Sequence, residues 1–420
     1  RYTVHLTLVF LILILFIFPG MNSIPPLDRD EARFAQASRQ MVEDQDFVVI
    51  KFQEELRSKK PIGIYWIQSI SASILNKDNI FSYRLPNLIG GLLTCGLTGF
   101  FIFNILFYFA SFTLSKAINL ALLSSIFLSI CLGFSIEVRQ AKTDTVLLLI
   151  CLIQQWFLWK IYVYGKLDWN IYEKHNLVGA VRLFWVFMGL GLLVKGPIAP
   201  LLAFLTILGV VVLDRIVEKK WTLKWLSVFL WVQGIIIILI INLPWLVLVW
   251  KATNGVLIFD AMNQDLFEKI KSGQENHGAP PGSHILALFF TFWPLTLLLP
   301  FAFRACIDWQ HQIIIRFLMP WIVPFWIVME LVPTKLPHYI LPVFPAMIAL
   351  SILGLTSPAS GKKIFKLLGN SYQILACFMT FLLLIIIIFF SVIFSSEFIN
   401  VFISILIGLG LIFSILMGYI

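Results

Sequence analysis

The ionisable residues of this chain fall into a few tight groups, and the first is Pro25-Pro26-Leu27-Asp28-Arg29-Asp30-Glu31-Ala32-Arg33-Phe34-Ala35. A carboxylate such as Asp30 or Glu31, held where lipid meets water, can take a proton from an incoming hydroxyl or bind a metal ion. A plainer task suits the same residues: Asp28 or Asp30 can cap a helix that starts near Glu31, with Phe34 and Met41 turned to the bundle. Next comes Arg57-Ser58-Lys59-Lys60-Pro61, followed by Trp66, Ile67, Ile70 and Ile74 at interfacial-helix spacing. Lys60 there stands at phosphate head-group height, where snorkelling to ordinary lipid is the alternative. Glu137, Arg139, Lys142 and Asp144 lie around the end of one apolar run and the start of another. Asp144 heads a span, which suits the helix dipole, yet charges at span ends are usually paired or functional. Lys195-Gly196-Pro197 puts a lysine in a turn too short to be cheap unless it meets an anion. Pro333-Thr334-Lys335-Leu336-Pro337-His338-Tyr339 brings a cation, an imidazole and a phenol together. His277 and His284 can ligate a metal with a nearby carboxylate, although no HxxxH or HExxH spacing occurs and satisfied loop histidines are commoner.

The elements that must position these groups are membrane helices. Of the 420 residues, 60% are hydrophobic and 13% charged, about half the charge of a soluble domain. Mean hydropathy is +0.92. The fold expected is an all-α polytopic membrane protein of about 12 transmembrane helices. Their centres fall near 4–20, 85–109, 117–136, 144–163, 178–194, 197–213, 225–250, 285–303, 317–332, 339–356, 372–395 and 398–418. Helices satisfy their own backbone polar groups inside lipid, and the apolar runs do not alternate as barrel strands do. The net charge of +9 follows from Lys and Arg in cytoplasmic loops rather than from a nucleic-acid surface. The five cysteines form no CxxC pair, so neither a disulfide framework nor a zinc ribbon is expected.

Basic loops at 116, 166–174, 215–224, 304–316 and 362–366 share one side by parity and mark it as cytoplasmic. The opposite side receives two long loops, 21–84 and 251–284, which hold 13 of the chain's 22 carboxylates. Parity also sends Asp30, Glu31, Lys60, Asp144, Lys195, His277, Lys335 and Tyr339 to that outer face. A carboxylate among several cations suits the holding of a phosphate leaving group while an acceptor is activated. The domains expected are 1–356, a catalytic unit with both outer loops, and 357–420, transmembrane helices with no soluble C-terminal domain.

Leu27 to Ala35, Lys60-Pro61 and Tyr65-Trp66 resemble the glycosyltransferase family of the bacterial aminoarabinose-lipid A transferases, relatives of the dolichyl-phosphate-mannose protein mannosyltransferases. Lys195-Gly196-Pro197, Pro244-Trp245, the His277 region and Lys335 to Pro342 extend the match in the same order, over residues 4–350. The resemblance implies a GT-C bundle with juxtamembrane helices in the first outer loop. It implies transfer, with inversion, of a sugar from a polyprenyl phosphate to an envelope acceptor such as lipid A or lipopolysaccharide. It carries Asp30 over as the catalytic carboxylate, with Glu31 beside it. Lys60, Asp144, Lys195, Lys335 and Tyr339 become lipid-phosphate contacts. No cofactor is certain; a divalent metal at His277 stays open, because relatives with a Glu-Lys-Pro motif offer a Glu where this chain has Lys59. The partners implied are the lipid-linked donor, a lipid or glycan acceptor and membrane lipids, with no nucleic acid. The place is the bacterial inner membrane with the site facing the periplasm. A polyprenyl-linked glycan ligase, a protein O-glycosyltransferase and a non-enzymatic lipid or sugar transporter are the alternatives.

Overall fold

Long apolar runs without polar periodicity become helices that bury one stripe in the bundle and leave the rest for lipid. In the computed structural model, residues 2–26, 28–166, 171–261, 278–309 and 312–357 are described. The chain opens with α1 (Tyr2–Ile17), followed by two short helices, α2 (Arg29–Asp44) and α3 (Gly63–Ile74), in the first long loop. Then come α4 (Ile80–Asn104), α5 (Leu114–Ile130), α6 (Leu132–Val138), α7 (Asp144–Lys166), α8 (Ile171–Lys195), α9 (Ile198–Glu218) and α10 (Trp231–Thr253). After α11 (Val256–Asp260) the bundle is completed by α12 (Ser283–Thr291), α13 (Leu299–Asp308), α14 (Ile315–Leu331) and α15 (Phe344–Leu355). Among the described residues, six helical stretches are long and apolar enough to cross a membrane, or up to eight if each of two bent pairs is one span. The spans expected at 372–395 and 398–418, with nearly all of the 357–420 unit, lie outside the described residues.

The bent pairs correct the simple runs expected at 117–136 and 285–303. The first breaks at Cys131 between α5 and α6, with a bend of 69°. The second breaks after Thr291, with a bend of 110°. The two breaks meet: Leu132 N donates to Trp293 O at 2.9 Å, and Gly133 lies against Thr291. Non-helical backbone at membrane depth is tolerable where protein covers it and pairs its polar groups.

α7 is the axis of the bundle and is buried along most of its length, whereas α10 exposes Ile235, Ile236, Leu239 and Ile240 to the surroundings. At the end of α7 farthest from Asp144, Lys166 Nζ lies 2.5 Å from both Asp214 Oδ2 and Glu218 Oε1. Arg316 lies 2.5 Å from Glu218, and the Tyr162 hydroxyl donates to Asp214 at 2.9 Å. Two cations and two carboxylates thus close that end without net charge. Close packing elsewhere relies on small residues. A Cβ on Gly354 would stand 1.7 Å from Phe301 O in α13, so a methyl group there must push two helices apart. Gly354→Ala is therefore expected to cost at least about 2 kcal/mol of overpacking, seen as a lower melting temperature in detergent.

Candidate active site

The first outer loop is built from a capped amphipathic helix. Asp28 is the N-cap of α2 and accepts from Asp30 N at 2.9 Å. Phe34, Ala37, Ser38 and Met41 recur at helical spacing and are buried, which turns Arg33 and Arg39 outward. Ser38 donates to Gln68 at 2.7 Å, and Ser69 donates to Ser38 O, so α2 and α3 are stitched through polar groups. Gly63 at the start of α3 lies against Leu193 near the end of α8; a Cβ there would come within 2.7 Å of the Leu193 carbonyl. Lys60, three residues before that contact, is thereby brought towards the end of α8 that carries Lys195.

Neighbouring Asp30 and Glu31 have opposite fates. The Asp30 side chain is 45% exposed, with Arg33 one turn on at 3.8 Å. Glu31 is 1% exposed and receives Arg84 Nε at 2.7 Å, Arg84 Nη2 at 3.1 Å and the backbone N–H of Ala141 at 2.9 Å. Arg84 also donates to Met21 O and Ile24 O. Glu31 was expected as a second reactive carboxylate. Its oxygens are instead consumed in a fork-to-fork pair that fastens the end of α1, the start of α2, α4 and the 139–143 turn to one another.

Beside this anchor lies a chain of charges on six segments. Lys142 Nζ contacts Asp28 Oδ2 at 2.8 Å and Glu137 Oε2 at 3.5 Å. Lys195, the last residue of α8, pairs with Asp144, the first of α7. Each thus sits at the helix end whose dipole suits its charge. His338 lies between the two carboxylates, with Nδ1 3.3 Å from Glu137 Oε1 and Nε2 3.6 Å from Asp144 Oδ1. The Tyr339 ring lies under Lys195 Nζ at 5.6 Å. Burial alone would raise the Asp28 carboxyl, but the Lys142 hydrogen bond and the Asp30 N–H outweigh it and hold the group below its ordinary 3.8. Burial opposes the charge on Lys142 as well, yet Glu137, Asp144 and Asp28 hold its ammonium above the usual lysine range. Charge in this cluster is maintained by mutual pairing.

Of the residues singled out in the sequence, Asp144, Lys195 and Tyr339 are thus in direct contact. Asp30 follows Asp28 of the same network by two residues. Lys60 donates to Lys59 O at 2.9 Å. Lys335 is buried and donates to Ala279 O and Val332 O, both at 2.8 Å, which ties the second outer loop to the segment bearing His338. Glu330 accepts from Gly282 N at 2.9 Å, and His284 Nε2 is 3.2 Å from Leu336 O, so His284 is held as a loop-tying residue. His277 lies outside the described residues, and no group of three His, Cys, Asp or Glu side chains able to hold a metal occurs among those described. Glu137, Lys142 and His338 were not assigned roles from the sequence. The usable sign was charge itself: Glu137, Lys142 and Asp144 recur, with Arg139, within eight residues between two apolar runs.

No family profile matches the chain. It is 25% identical over 319 residues, 75% of its length, to the undecaprenyl phosphate-alpha-4-amino-4-deoxy-L-arabinose arabinosyl transferase of Enterobacter sp. (strain 638). The enzyme of the same name from Yersinia pestis (strain Pestoides F) is 26% identical over 77% of the chain. Among solved structures, ArnT from Cupriavidus metallidurans bound to undecaprenyl phosphate superposes with a TM-score of 0.76 at 16% identity, covering 100% of this chain and 71% of that one. The chain is similar in sequence and in fold to the aminoarabinose transferases. It spans about half the length of the curated relatives it matches, 53% and 54% for these two. The GT-C fold extends to the Archaeoglobus fulgidus oligosaccharyltransferase, with a TM-score of 0.55 at 10% identity over 99% of this chain and 55% of that one.

Proposed function

We propose that the chain is a membrane glycosyltransferase that moves a sugar from a polyprenyl phosphate to lipid A, lipopolysaccharide or a similar envelope acceptor. The site would face the periplasm of the bacterial inner membrane. The observation that carries this reading is the cluster of Asp28, Glu137, Lys142, Asp144, Lys195 and His338, gathered from six segments beside exposed Asp30 at one end of the bundle. An acceptor hydroxyl attacks the anomeric carbon as Asp30 accepts its proton, and the bond from that carbon to the phosphate oxygen breaks with inversion. The departing lipid phosphate gains negative charge, which Lys195, Lys60 and Lys335 would stabilise. Asp144 orients Lys195, and Tyr339 supports it from below.

A groove of about 360 Å³ fits the donor's other half. Ile67, Ile70 and Ile74 of α3, Leu85 and Ile89 of α4, and Val146 and Leu149 of α7 line it with almost no polar surface. Val146 is two residues from Asp144, so a prenyl tail in the groove leaves its phosphate at the charged cluster. The charges gather at the ends of spans rather than at broken helices in mid-membrane, which favours transfer chemistry over transport. Deleting the gene should remove one sugar substituent from an envelope lipid or glycan, read by mass spectrometry of lipid A and envelope glycans. An unchanged envelope would count against the reading.

A further inference from the structure

His338 occupies an electrostatic position that the transfer reaction does not by itself require. A neutral imidazole has one N–H and one lone pair. With a carboxylate oxygen at 3.3 Å from Nδ1 and another at 3.6 Å from Nε2, either neutral tautomer directs its lone pair at an anion. Only the ring carrying both protons gives each nitrogen a favourable partner. The surrounding groups make the same demand. Glu137 from α6, Asp144 from α7 and Asp28 from the first loop bring three negative charges. Lys142 from the 139–143 turn and Lys195 from α8 bring two positive ones. Tyr339 stands next to the ring, with centroids 5.2 Å apart, and His284 approaches Tyr339 from α12 at 6.4 Å.

We propose that His338 is a positioning residue that supplies the third cation of this cluster. By bridging Glu137 and Asp144, the imidazolium leaves Lys195 free to attract an anionic phosphate. This inference rests on the polyprenyl-phosphate reading of the site. Its sign is fixed by the charge count. With a cation at position 338 the six groups balance; with a neutral side chain there, one net negative charge stands beside the phosphate position. Removing that cation must therefore lower anion affinity.

The test uses the full chain in detergent and undecaprenyl methyl phosphate, a phosphodiester that carries one negative charge throughout pH 5.5–8.5. Binding is followed by native mass spectrometry for wild type, H338R and H338Q. H338Q is expected to bind about tenfold more weakly than wild type, since a nearby charge acts at that scale in a partly buried site. H338R, which keeps a cation at that position, should bind about as tightly as wild type. Equal affinities for wild type and H338Q overturn the role of His338 while the phosphate site stands. Absence of binding by wild type overturns that site and, with it, this proposal. A monodisperse H338Q keeps the comparison valid if H338R fails to fold.

Discussion

Asp30→Asn is expected to reduce sugar transfer from a polyprenyl phosphate by at least about a hundredfold, with the protein still present in membranes at its normal level. The size follows from the loss of a positioned base, which typically contributes two to four orders of magnitude. Retention of the protein follows from exposure. Asp30 is almost half open to its surroundings and has Arg33 at 3.8 Å, whereas the N-cap of α2 is made by Asp28. The Asn side chain keeps the shape and loses only the charge, so α2 should remain folded. Transfer assayed in isolated membranes, with protein measured by immunoblot, separates the two effects. Full activity in the variant would remove Asp30 from the reaction.

Arg84→Met should damage the protein without touching the chemistry. Arg84 and Glu31 are each 1% exposed, and Arg84 supplies two of the three donors to the Glu31 carboxylate, the third being Ala141 N–H, and also donates to the carbonyls of Met21 and Ile24. Removing one member of a buried pair leaves an uncompensated charge and costs about 3–5 kcal/mol. The expected outcome is a sharply lower melting temperature in detergent and easier proteolysis of the 21–84 loop. Neutralising both partners, as Glu31→Gln with Arg84→Met, should recover much of the loss, because the desolvated charge is gone. If the single variant melts like wild type, the fork between Glu31 and Arg84 is not what fastens the first loop.

Much of the architecture was readable from apolar runs, since a span must bury no unpaired backbone. The breaks in the spans at Cys131 and near Trp293 were not, because each depends on the other's backbone groups; composition along one segment cannot reveal a partner 161 residues away. The same limit explains the site. Asp144, Lys195 and Tyr339 stand out as polar residues in apolar surroundings, and parity alone sends them to one face. Adjacent Asp30 and Glu31 look alike in sequence, and only the position of Arg84 in α4 assigns one to the surface and the other to an internal anchor. His338 looks like a turn residue until α6 and α7 deliver carboxylates to both its nitrogens.

The proposed transfer needs a lipid phosphate to dock where α7 begins, α8 ends and the 337–343 turn folds over them. Photoaffinity labelling tests it most directly, using a polyprenyl phosphate analogue with a diazirine next to the phosphate. Labelled peptides are expected around residues 28–33, 137–146 and 335–339, with competition by unmodified undecaprenyl phosphate. Labelling confined to the opposite end of the bundle, around Lys166, Glu218 and Arg316, would contradict it.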